Sequence, residues 1–196
     1  MIDNLKKEGI IQWLRLYPHI LKQNNLQELY RAEAETLGNM ERLGDWERWD
    51  LTRFLIDNLS LPKVLNNLDK IPSYFLSEDQ GQDIKKINIP YHILSIGRNA
   101  FNKCPIDFIN LGEVKSIRTR AFEDCNIKSI MIPETVETIY PRVFRKNPLI
   151  NIYFHKDCEA HIREDIFEEC PIQEIKCNEV IKRQLPDYLQ EKVILI

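Results

Sequence analysis

The side chains best able to do chemistry are five cysteines and four histidines. Their tightest grouping is His155, Cys158 and His161, spaced H-x-x-C-x-x-H, with Cys170 and Cys177 further along. Imidazole and thiolate at that spacing would suit a zinc ion, but structural zinc sites usually set one close ligand pair against another. The second close pair is missing, and no C-x-x-C occurs. Cys104, Cys125 and Cys170 each end an F-x-x-C run, which gives them the reading of small buried packing residues. Glu168-Glu169 and the Glu33 to Glu35 pair read as solvated carboxylates, and His19 and His92 stand alone. The chain contains no G-x-S-x-G, P-loop, G-x-G-x-x-G or H-E-x-x-H sequence. Trp46-x-x-Trp49 reads as core at helical spacing. The expectation is a protein that is not an enzyme, with no cofactor and no metal.

Charge narrows the class further. The 196 residues carry 27 Lys+Arg against 30 Asp+Glu, a net charge of -3. Lys85, Lys86, Arg98, Lys103, Arg118 and Arg120 form a locally basic stretch, yet residues 81–196 hold equal numbers of basic and acidic side chains. Nucleic-acid binding is therefore not expected, because it rests on neutralising a phosphate backbone. The start, Met-Ile-Asp-Asn-Leu-Lys-Lys-Glu, lacks the basic, apolar and small-residue regions of a signal peptide. No apolar run approaches the ~20 residues needed to span a bilayer. Together with an odd number of cysteines, this gives the expectation of a cytoplasmic protein with no membrane partner.

The elements divide into two halves. Over 1–70 the apolar residues recur at helical spacing: Leu5, Ile10, Trp13, Leu14 and Tyr17, then Leu26, Leu29, Tyr30, Leu37 and Met40. Asn25 with Glu28 makes a capping box, and Asp45 caps a helix carrying Trp49, Phe54 and Leu55. Ser60-Leu61-Pro62 starts a short last helix through Leu68, since proline suits a first turn.

Beyond Pro72 the pattern changes to a repeat. Ala100-Phe101-x-x-Cys104, Ala121-Phe122-x-x-Cys125, Val143-Phe144-x-x-Asn147 and Ile166-Phe167-x-x-Cys170 place successive phenylalanines 21, 22 and 23 residues apart. After each comes I-x-x-I-x-I, as in Ile106/Ile109/Leu111, Ile127/Ile130/Ile132, Leu149/Ile152/Phe154 and Ile172/Ile175/Cys177. A copy at Ile84/Ile87/Ile89 precedes them. V-x-x-I follows at Val114–Ile117 and Val136–Ile139, with Ile93–Ile96 before them. In the fourth repeat a more polar run, 157–162, stands there instead and is expected to be less regular.

Residues 71–180 resemble the BspA-like leucine-rich repeats, whose turn runs I-x-I-P, V-x-x-I, A-F-x-x-C. Ile87-Asn88-Ile89-Pro90 and Ile130-Met131-Ile132-Pro133 match closely. The resemblance implies an α+β chain: a helical N-terminal cap over 1–70, a leucine-rich-repeat solenoid of about four to five turns over 71–180, and a C-terminal cap over 181–196. The helical half, running into Ile71-Pro72-Ser73-Tyr74-Phe75, is similar to the N-terminal caps of short bacterial and phage repeat proteins. Leu185, Leu189, Val193 and Leu195 are expected to close the other end.

The repeat also yields a site. If the isoleucines of I-x-x-I-x-I point inward, the residues at its third and fifth positions face outward. One column reads Asn88, Asn110, Met131, Tyr153, Lys176, and the other Lys86, Phe108, Ser129, Asn151, Glu174. Phe108, Met131 and Tyr153 then make an exposed apolar patch among Asn88, Asn110, Lys86, Asn151 and Lys176, the composition of a protein interface. The expected function is a non-enzymatic protein-protein interaction module, as a phage or mobile-element protein that binds and inhibits a host bacterial protein. The alternatives are a structural component that self-assembles through the patch or the ends, and a cover of the patch by the helical half.

Overall fold

The structure is a computed structural model that describes residues 61–66, 68, 70–76, 81–163 and 165–196. The chain forms two compact units, Met1–Leu68 and Asp69–Ile196. Of the first, helix α1 (Leu61–Asn66) is described, with Pro62 in its opening turn and Leu61 and Leu65 buried. The helices expected earlier in the chain lie outside the described residues.

The second unit is a solenoid of short parallel strands. One sheet collects the V-x-x-I positions: β2 (Ser95–Ile96), β4 (Ser116–Ile117), β6 (Thr138–Ile139) and β8 (His161–Ile162), in that order. The other face collects the I-x-x-I-x-I positions. There β1 (Lys86–Asn88) pairs with β3 (Phe108–Asn110), and β5 (Ser129–Ile132), β7 (Asn151–Phe154) and β9 (Glu174–Cys177) continue as a separate ladder. Every pairing is parallel and joins equivalent repeat positions, as in Ile87↔Ile109, Ile130↔Ile152 and Ile152↔Ile175. A strand of two to four residues cannot bury an apolar face alone. Stacking equivalent isoleucines turn upon turn gives each a neighbour on both sides.

Behind the strands runs a column of rings. Phe101, Phe122, Phe144 and Phe167 lie face to face at centroid spacings of 5.3, 5.9 and 5.9 Å. Two residues flank each anchor in the left-handed region, for example Asn99 and Lys103, Arg120 and Asp124, or Arg142 and Lys146, with φ between 52° and 61°. These left-handed residues fold the segment tightly enough to turn one phenylalanine per repeat inward.

The cysteine that closes an anchor donates its thiol to the carbonyl of the preceding turn. Cys104 reaches Leu76 O at 2.6 Å, Cys125 reaches Phe101 O at 3.2 Å, and Cys170 reaches Phe144 O at 3.0 Å. Asn147 does the same work with an amide. Its Nδ2 donates to Phe122 O at 2.7 Å and to Phe144 O at 2.9 Å, while its Oδ1 accepts from Ile127 N at 3.1 Å.

The solenoid begins with a partial turn over Ile71–Leu76, at the start of the 71–180 span expected for it. Ile71 bridges Ile96 in parallel, Leu76 N donates to Ala100 O, and Phe75 sets its ring edge-on to Phe101 at 5.9 Å. The fourth repeat is regular in spite of its polar sequence: His161 and Ile162 keep register with Thr138 and Ile139, and Cys158 and Ala160 are fully buried there. At the C-terminal end, Leu185 and Leu189 are buried as expected, beside the short helices α2 (Glu179–Lys182) and α3 (Asp187–Gln190). Val193 and Leu195 lie on β10 (Val193–Leu195), which pairs in parallel with β9 and so covers the last repeat strand, while Leu195 is 46% exposed because no further turn packs over it.

Candidate protein-interaction face

The outward columns fall where the alternation of a strand requires. Lys86, Asn88, Phe108, Asn110, Ser129 and Met131 are exposed, while Asn151, Tyr153, Glu174 and Lys176 are half-buried. Phe108 is 50% and Met131 56% exposed, values a monomer seldom leaves on large apolar side chains side by side. Met131 is the direct ladder neighbour of Tyr153, and Tyr153 that of Lys176. The Lys176 ammonium stands 5.3 Å from the Tyr153 ring centroid and 3.4 Å from a Glu174 carboxylate oxygen, so the tyrosine is the tethered end of the patch. Asn110 spends its Oδ1 on Gly112 N, at 3.0 Å.

Phe108, Met131 and Tyr153 rim one groove of about 290 Å³, with Ile109 and Ile130 in its floor. The groove lies where the strand face is interrupted. No backbone hydrogen bond joins β3 to β5 among the described residues, although Asn126 N still donates to Ile106 O just before them. This junction is also the shortest repeat and the closest pair of rings, Phe101 on Phe122. Gly112 takes the place that proline holds in Ile89-Pro90 and Ile132-Pro133, at φ +56°, and a Cβ there would stand 2.6 Å from Ile89 O. The 21-residue spacing was the signal of this break in the sequence.

The other chemistry-bearing residues do not converge. Cys158 and Cys177 are buried in the core, and His155 faces Glu134 and Asp157 at 3.5 and 3.8 Å. Among the described residues no three His, Cys, Asp or Glu side chains are placed to hold a metal ion. Burial pushes the thiols up: Cys104 to about 12, with a further push from Asp83, and Cys170 and Cys177 each to about 11. Such thiols are protonated and poor nucleophiles at neutral pH. The basic stretch is dispersed as well: Arg118 lies over the Tyr140 ring at 4.5 Å, and Arg120 pairs with Glu123 at 3.3 Å. No helix among the described residues is long and apolar enough to cross a membrane.

The repeat and its register correspond to a known family. A description of the BspA type leucine-rich repeat region matches residues 69–189, in six copies. The chain belongs to that family. The six copies reach back to Asp69, which agrees with the partial turn that Ile71–Leu76 adds to the BspA-type solenoid. Among solved structures the chain is similar to the pneumococcal vaccine antigen PcpA, with 15% identity and a TM-score of 0.41 over 59% of this chain. That match takes in 37% of the PcpA chain. No curated protein matches significantly.

Proposed function

We propose that this BspA-type chain is a non-enzymatic protein-interaction module that engages another protein through the face carrying β1, β3, β5, β7 and β9. The observation that carries the proposal is the groove rimmed by Phe108, Met131 and Tyr153. It sets exposed apolar side chains among Lys86, Asn88, Asn110, Asn151 and Lys176 on the strand face. Apolar surface of this kind gains free energy when covered, and the polar rim supplies orientation. In its finer form the proposal has the chain acting in the cytoplasm as a phage or mobile-element product that blocks a host bacterial protein. Its support is the likeness of the N-terminal half to caps of such proteins.

A second reading, self-assembly, draws on β10, whose outer edge leaves Ile194 and Leu195 47% and 46% exposed. The experiment is capture from bacterial lysate by tagged wild type beside a Phe108→Ser, Met131→Ser, Tyr153→Ser variant, with light scattering on both. A stoichiometric protein held by wild type and lost by the variant is the expected result. A wild-type oligomer that the variant cannot form, with nothing captured, supports self-assembly instead. Unfolding of the variant would return the three side chains to the core and sink the proposal.

A further inference from the structure

We infer that the groove between β3 and β5 takes a short acidic-apolar segment of the partner protein, one large apolar side chain flanked by aspartate or glutamate. The inference rests on the proposed strand-face function and specifies the chemistry of what docks there.

The groove itself selects for an apolar side chain, since Phe108, Met131 and Ile130 offer it no charge. The surroundings select for acid. Lys86 is the ladder neighbour of Phe108, and Lys85 and Lys128 precede β1 and β5. All three are exposed and make no ion pair among the described residues. Some cations elsewhere on the solenoid are matched, as Lys115 with Glu137, Lys176 with Glu174, and Arg145 with Glu123, Glu168 and Glu169, and others such as Lys146 and Lys156 are not. Lys85, Lys86 and Lys128 differ in clustering on adjacent turns of the strand face. Across 85–89, 107–111 and 128–132 the one carboxylate is Asp107, so three ammonium groups face a single acid. Unmatched lysines around an apolar slot give an acidic partner both faster encounter and correct orientation.

The test is a selection of displayed random 12-residue peptides on immobilised full-length chain, with subtraction on the Phe108→Ser, Met131→Ser, Tyr153→Ser variant. Enriched peptides should share one Leu, Ile, Phe or Trp beside Asp or Glu. A synthetic peptide of that consensus, followed by fluorescence anisotropy, should bind about tenfold more weakly to a Lys86→Glu, Lys128→Glu variant. Raised salt should weaken its binding to wild type. Neutral or basic consensus peptides, or binding indifferent to charge reversal, would overturn the acidic inference and leave the strand face standing. Peptides that bind the subtraction variant equally well would overturn both. A dimer held by the groove residues would give the slot to a second copy and overturn the inference.

Discussion

At the scale of single residues the molecule depends on polar groups that join one turn to the next. Asn147 is 1% exposed and satisfies Phe122 O, Phe144 O and Ile127 N. Asn147→Ala leaves those groups unpaired in the core, and urea unfolding should register a loss of about 2–4 kcal/mol. Asn147→Cys should recover part of it, because Cys125 and Cys170 make the matching bond to a phenylalanine carbonyl in their own turns. Lys146 offers the opposite case. It is exposed and sits at φ 59°, where a side chain is disfavoured, so Lys146→Gly should stabilise by up to about 1 kcal/mol. The buried thiols set a pH limit. Cys104 is raised from 9.0 to about 12, so the folded chain keeps a proton that the unfolded chain loses. Stability is therefore whole below about pH 9 and falls as pH rises toward 12; Cys104→Ala should flatten that fall in denaturation midpoints taken across the window.

The elements owe their positions to two continuous columns, isoleucines in front and phenylalanines behind. Phe122 is fully buried between Phe101 and Phe144, so Phe122→Ala should cost about 3–5 kcal/mol, read from the same unfolding curves. At Gly97 a Cβ would stand 2.4 Å from Ser73 N and 2.5 Å from Pro72 C. Gly97→Ala should therefore displace the partial turn Ile71–Leu76, and hydrogen exchange should show faster labelling at Leu76 with the β5–β7 ladder unchanged. Much of this was legible in the sequence. I-x-x-I-x-I and F-x-x-C fall at constant order and near-constant period, and period dictates register in a parallel stack. That the span opens on a partial turn was not legible, because Phe75 lies 26 residues before Phe101 and its turn lacks the I-x-x-I-x-I copy that marks the others. Residues 157–162 looked too polar for a repeat strand, but the contacts that matter there come from Cys158, Ala160 and Ile162. The outward columns of the candidate face could be listed from alternation alone. The groove could not, since it depends on which two strands fail to pair.

At the scale of the whole molecule, each turn touches only its neighbours, so stability is a sum of interfaces and the ends are the weakest terms. Ile175 N donates to Lys192 O, and Ile196 N to Cys177 O. A chain shortened by residues 191–196 loses both bonds and should melt several degrees lower in scanning calorimetry, with the solenoid otherwise intact. The interruption between β3 and β5 has a mechanical consequence. The opposite sheet runs unbroken through β2, β4, β6 and β8, and the ring column is tightest at that same junction. One side of the solenoid is thus tied together there and the other is not. The front of the solenoid at that junction is therefore held by side-chain packing and by the sheet and ring column behind it, and not by a ladder of its own.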